Sequence, residues 1–171
     1  MKWNWRRANA KIEVPITEYL DELIKAELSA GYLLKVSVGT DSQRSGRGFK
    51  FATVILITRK IDLGNGELQG KGGMMIHAEY GMNFYGKRKD TINERMLSEV
   101  SKSIEVGMEI APVLDKHGIK MEIHADINPD PRWASNAAMS QAIGYILGMG
   151  YEFKLKPTAW AASYAGDRYT K

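Results

Sequence analysis

Leu33-Leu34-Lys35-Val36-Ser37-Val38-Gly39-Thr40-Asp41-Ser42-Gln43 is a short apolar strand running straight into an acidic turn. Leu33 to Val38 reads as a compact strand that ends at Gly39. Asp is a poor strand former, so a carboxylate two positions after Gly39 calls for a reason. Two are open: Asp41 caps a turn, or it serves a ligand at the carboxyl end of the strand.

The flanking segments supply the topology. Ile16, Leu20, Leu23, Ile24 and Leu28 recur at helical spacing, with Thr17 near the start and Gly31 beyond the end. Phe49 to Thr58 is β-branched and predicts a second strand; Asp62 to Gly66 carries an Asn65-Gly66 turn signal, and Gly73 to Tyr80 predicts a third. The period then changes. From Thr91 to His117 the stripe Ile92, Met96, Val100, Ile104, Met108, Ala111 predicts a helix closed by Gly118, with Pro112 expected to kink or split it. Ile119 to Ile127 reads as a fourth strand, followed by the restricted Asn128-Pro129-Asp130-Pro131 loop. Ala134 to Leu147 reads as a small-residue helix, Tyr151 to Leu155 as a fifth strand, and Thr158 to Lys171 as a short terminal helix. Strands joined by short turns are expected to be antiparallel, and those joined through helices parallel. The predicted α/β fold is therefore a five-stranded mixed sheet, three antiparallel strands then two parallel, with helices on both faces. An extra N-terminal helix precedes it. Residues 1–30 are expected to be a basic, aromatic segment and helix packed on a domain spanning 31–171.

Composition bounds the chemistry. The chain has 171 residues, 44% hydrophobic and 26% charged, which fits one globular domain with a sizeable core. It contains no cysteine, so disulfides, thiolate catalysis and Cys-ligated zinc are excluded. No apolar run approaches the roughly 20 residues of a membrane span, and no apolar signal-like stretch follows the basic N-terminus; a cytosolic location is expected. A net charge of +4 is compatible with a polyanionic partner. The cations gather at Lys2, Arg6 and Arg7 among Trp3 and Trp5, at Arg44, Arg47 and Lys50, and at Lys87 to Lys89. Each cluster also reads as a solvated loop.

Asp126 ends the fourth strand in Glu122-Ile123-His124-Ala125-Asp126. If the first and fourth strands are parallel neighbours, Asp41 and Asp126 emerge at one edge of the sheet, where α/β folds place ligands. Two carboxylates so placed repel, and a hard cation such as Mg²⁺ relieves them. Asp126 can instead initiate the turn before Asn128-Pro129. His124 lies on the same side of its strand as Asp126, and His77 and Glu79 form a similar pair. A buried strand histidine is more often a hydrogen-bonded core residue than a metal ligand. Trp133, Trp160 and Tyr164 can stack on bases or fill the core; for Trp160 the core is expected.

Val38-Gly39-Thr40-Asp41-Ser42-Gln43, His124-Ala125-Asp126-Ile127-Asn128 and the distinctive ending KPTAWAASYAGDRYTK together resemble the YkuK-like family of ribonuclease H-like proteins, over about Gly31 to Lys171. What the resemblance implies is a four-carboxylate, two-metal site. Asp41 would bridge two Mg²⁺ or Mn²⁺ ions, with a helix Glu, Asp126 and Asp167 completing it. The helix Glu is Glu94 or Glu99. Both flank the apolar stripe, but Glu99 is followed by Val100, Ser103 and Ile104 in the family-like pattern, while Glu94 suits a helix N-terminus as a dipole complement; Glu99 is chosen. The implied activity is hydrolysis of phosphodiester bonds in RNA, RNA–DNA hybrid or DNA, with nucleic acid as partner and contacts from Ser42, Gln43, Arg44, Lys154, Lys156 and Arg168. Two alternatives stand beside it. One is a non-catalytic nucleic-acid-binding module of the same fold; the other is a single-domain nucleotide- or phosphate-binding protein using Gly39-Thr40 as its loop.

Overall fold

A computed structural model describes residues 3–46, 48–83, 88–127, 130, 132 and 139–170, without the side chains of 88–91, 139, 164 and 167. Lys2, Arg47, Lys87, Asn128, Pro129, Pro131, Trp133, the predicted helix start at 134–138 and Lys171 lie outside the described residues. So do the side chains of Arg88, Lys89, Tyr164 and Asp167.

In chain order the elements are β1 (Arg6–Arg7), β2 (Ala10–Lys11), α1 (Ile16–Ser29), β3 (Leu33–Ser45), β4 (Gly48–Asp62), β5 (Leu68–Met82), α2 (Arg88–Lys116), β6 (Met121–Ala125), α3 (Met139–Gly148), β7 (Glu152–Lys154), a π-helical segment (Ala161–Gly166) and α4 (Asp167–Thr170). The sheet order is β2-β1-β5-β4-β3-β6-β7. β3, β4 and β5 form the antiparallel meander, and β6 and β7 add parallel strands beside β3. The sheet thus has seven strands among the described residues, not five. The two extra strands are the N-terminal pair, with Arg6 opposite His77 and Arg7 opposite Ile76 of β5. Each is two exposed residues long, too short for any period to register. Buried Trp5 fastens them to the core, stacked on Trp3 with ring centroids 5.5 Å apart.

The end of the first core strand and the expected break at Pro112 both change. β3 does not stop at Gly39 but continues to Ser45, so Asp41 lies inside a strand, opposite Ala52. Its long antiparallel partner satisfies the backbone that local propensity leaves in doubt. α2 passes through Pro112 without interruption. Pro112 stands on the solvent side, and exposed Met108, whose carbonyl it leaves unbonded, can be served by water. α1 begins at Ile16 with Pro15 before it and no side-chain cap, so Thr17 sits in the first turn.

Strand alternation sorts the layers. Val36, Val38, Thr40 and Ser42 of β3 face α2, where Ser103 Oγ donates to Thr40 Oγ1 at 2.9 Å and the apolar core is built with Ile55, Ile57, Val100 and Ile104. Buried Leu20 and Ile24 of α1 join that core. The opposite face of β3, at Gly39 and Asp41, is covered by the C-terminal segment. A Cβ on Gly39 would stand 2.4 Å from the backbone nitrogen of Ala162, and one on Gly166 would stand 2.7 Å from Cβ of Asp41. The chain approaches β3 so closely there that positions 39 and 166 admit only glycine. No helix among the described residues is long and apolar enough to cross a membrane.

Candidate metal and nucleic-acid site

β3 and β6 run parallel, with Thr40 beside Ala125 as their last registered pair. Asp41 and Asp126 are the next residue on each chain. β6 ends there and β3 continues, so both carboxylates emerge at the carboxyl end of the shorter strand, and alternation puts both on the face covered by the C-terminal segment. Glu99 arrives from the other face. It lies on the buried side of α2, and Ser42 Oγ donates to its Oε1 at 2.5 Å.

Electrostatics tie the three together. The Glu99 carboxyl is pushed up to about 8, first by burial and then by the negative charges of Asp41 and Asp126, against the hydrogen bond from Ser42 and the charge of Arg95. Glu94, by contrast, is exposed on α2. Asp41 is 8% exposed and accepts a 3.2 Å bond from Thr170 Oγ1. Asp126 accepts from Ser163 Oγ at 2.6 Å and is paired with Lys156 Nζ at 2.9 Å. An open cleft of about 610 Å³ is lined by Asp41, Ser42, Gln43, Arg44, Arg95, Asp126, Lys156 and Ser163.

The donors present are carboxylate and hydroxyl oxygens, the set that Mg²⁺ and Mn²⁺ take. Among the described residues, however, no three His, Asp or Glu side chains converge closely enough to hold one ion as they are turned. Each carboxylate is instead turned onto a protein partner: Asp41 onto Thr170, Glu99 onto Ser42, Asp126 onto Ser163 and Lys156. The chemistry fits a hard cation, and gathering the ligands requires side-chain rotation, with Lys156 leaving Asp126.

The other sequence-selected residues fall in several places. α4 begins at Asp167, next to Gly166, which packs on Asp41, so its backbone is brought to the site. His124 is not turned to a metal. Its Nδ1 accepts the Ala161 backbone N–H at 3.0 Å, and its Nε2 faces Glu122 at 3.1 Å, itself paired with Lys35 at 2.8 Å. Both ring nitrogens are used, and burial holds the imidazole below its ordinary pKa. His77 stacks on Tyr169 of α4, ring centroids 3.6 Å apart, with Nε2 3.7 Å from Glu79. Ser42 is buried against Glu99, Gln43 is half-buried, and Arg44, Lys154, Lys156 and Arg168 are exposed. Trp160 is 61% exposed and does not fill the core; the π-helical segment lays Ala161 and Ala162 on β3 and leaves the ring outside. Gly39 and Thr40 form no phosphate loop, since both lie within β3 and the Thr40 hydroxyl is buried 2.9 Å from that of Thr53.

Sequence reasoning missed Arg95, Ser163 and Thr170. Arg95 carried a signal, for it stands one helical turn before Glu99 and shares its face. Ser163 carried none that local pattern can read, because it lies in the π-helical segment, and Thr170 carried none because it ends the short α4 that follows.

A family model described as ribonuclease H-like matches residues 15–171. No curated protein and no solved structure matches the chain. With β3, β4 and β5 antiparallel, β6 parallel to β3, and a match that takes in all but the N-terminal hairpin, the chain belongs to the ribonuclease H-like family.

Proposed function

We propose that the protein is a divalent-metal-dependent nuclease that hydrolyses phosphodiester bonds in RNA, RNA–DNA hybrid or DNA. The observation that carries this is that Asp41 and Asp126 line one cleft where β6 ends beside β3, with Glu99 hydrogen-bonded to Ser42 of the same cleft. Membership of the ribonuclease H-like family supports a nucleic-acid role. Asp41, Glu99 and Asp126, with Asp167 from α4, are the residues that would hold two Mg²⁺ or Mn²⁺ ions. When bound, the ions supply an activated water and neutralise charge on the leaving 3′-oxygen. The chain's own contribution is positional. Ser42 holds Glu99, Thr170 holds Asp41, and Ser163 holds Asp126. Lys156 keeps a positive charge at the cleft that can turn from Asp126 to a phosphate.

Cleavage of labelled single-stranded RNA, single-stranded DNA and hybrid duplex, with Mg²⁺ or Mn²⁺ and with chelator, tests this. We expect metal-dependent products from the wild type. We expect Asp41→Asn to lower the rate by at least about a hundredfold, the order lost when one preorganised polar group is removed from an active site. Its stability should be unchanged at neutral pH, where Glu99 is protonated, and higher above about pH 8, where repulsion between the two carboxylates is relieved, while an amide oxygen still accepts from Thr170. The Lys156–Asp126 ion pair favours a second reading, a non-catalytic nucleic-acid-binding module in which a lysine permanently occupies the place of a cation. Salt-sensitive, metal-indifferent binding with no cleavage of any substrate would establish that instead.

A further inference from the structure

We infer that Arg95 and Arg44 form a two-guanidinium clamp for a phosphodiester of the bound strand, set to one side of the carboxylates along the β3–β4 hairpin. This rests on the nuclease reading for its substrate class but on separate residues. The Arg95 guanidinium lies over the Phe49 ring, 5.4 Å from its centroid. Its Nε stands 3.7 Å from Glu99 Oε1, too far for a hydrogen bond. That nitrogen is buried with no hydrogen-bond partner among the described residues. Arg95 is therefore held in place by a ring and a neighbouring carboxylate, with its Nε hydrogen-bonded to neither. Arg44 is directly opposite Phe49 in the β3–β4 register, so alternation puts it on the same face. Arg44 and Arg95 both line the cleft that contains Asp41 and Asp126. Two guanidiniums flanking an aromatic ring, beside an acidic edge, suit the non-bridging oxygens of a phosphate, which the planar fork of arginine binds bidentately. The strand would then run from the carboxylates toward the hairpin tip.

The test is metal-free. Binding of a fluorescein-labelled single-stranded 12-mer, RNA and DNA, is followed by anisotropy in chelator over a range of salt for the wild type, Arg44→Met, Arg95→Met and Lys60→Met. Lys60 is an exposed cation near the far end of β4, so Lys60→Met controls for net charge. We expect each arginine variant to bind roughly tenfold more weakly, the loss of a charge-assisted hydrogen bond. The logarithmic salt slope should fall by about 0.7 per lost contact, while Lys60→Met stays near the wild type. A merely structural Arg95 would lower the melting temperature without moving the slope. Should Arg95→Met fail to fold, Arg95→Lys keeps a charge beside Glu99 but loses the fork, and it should still bind several-fold more weakly. Equal affinities and slopes in all variants, an equal loss in all three, or no binding by the wild type would each overturn the clamp. None of these bears on the nuclease reading, which stands or falls on metal-dependent cleavage.

Discussion

Glu99 has the strongest pH signature in the site. Its carboxyl is pushed up to about 8 in the folded chain from an ordinary value of about 4.5, mainly through burial and then through Asp41 and Asp126. Between those values the folded state binds a proton that the unfolded state has released. The group's contribution to stability is therefore fully present below about 4.5 and is lost as pH rises through about 8. We expect urea unfolding to show the wild type weaker at pH 8.5 than at pH 5. Glu99→Gln, which still accepts from Ser42, should lack that component, matching the wild type at pH 5 and exceeding it at pH 8.5 by up to a few kcal/mol. Identical pH dependence in the two proteins would show that Glu99 is not buried among charges. Periodicity alone left Glu94 and Glu99 tied, since both flank the apolar stripe. The resemblance of Glu99, Val100, Ser103 and Ile104 to the family's pattern, with the fit of Glu94 to a helix N-terminus, is what favours Glu99. Trp160 shows the opposite limit: nothing in its neighbours told that a π-helical turn would carry the ring into solvent.

The C-terminal segment is the element on which the site depends. It brings Ser163 to Asp126 and Thr170 to Asp41, and it lies on β3 through Gly39 and Gly166. Gly39→Ala would put a methyl group 2.4 Å from the Ala162 backbone nitrogen, a clash that no side-chain rotation relieves. We expect this variant to lose about 1–3 kcal/mol and to raise amide hydrogen exchange across 159–170, with β4 and β5 unaffected. Unchanged melting and exchange would mean that the segment is not seated as described. The meander, α1, α2 and the order of the later strands were legible because each carries its own period over many residues. The continuation of β3 past Gly39 was not, because Gly-Thr-Asp-Ser-Gln reads locally as a turn and becomes strand only by pairing, residue for residue, with β4. β1 and β2 were likewise silent, being held by Trp5 and by the edge of β5 rather than by their own pattern.

At the scale of the whole fold, the described residues form a seven-stranded mixed sheet covered on one face by α1 and α2 and on the other by the alanine-rich C-terminal segment. The carboxylates stand where β6 ends beside the continuing β3, between the two layers. Acidic residues at the centre of the cleft are bordered by Arg44, Arg95 and Lys156, so a net charge of +4 is compatible with a site that takes both cations and a polyanion. Topology made Asp41 and Asp126 neighbours before any side chain was seen; the approach of Glu99 from the opposite face needed the packing of α2. Anomalous diffraction from crystals grown with saturating Mn²⁺ examines the site itself. We expect two manganese peaks where the end of β6 meets Asp41 of β3, ligated by Asp41, Glu99 and Asp126, with Lys156 turned away from Asp126. Manganese bound elsewhere, or no peak there with Lys156 still paired to Asp126, would contradict it.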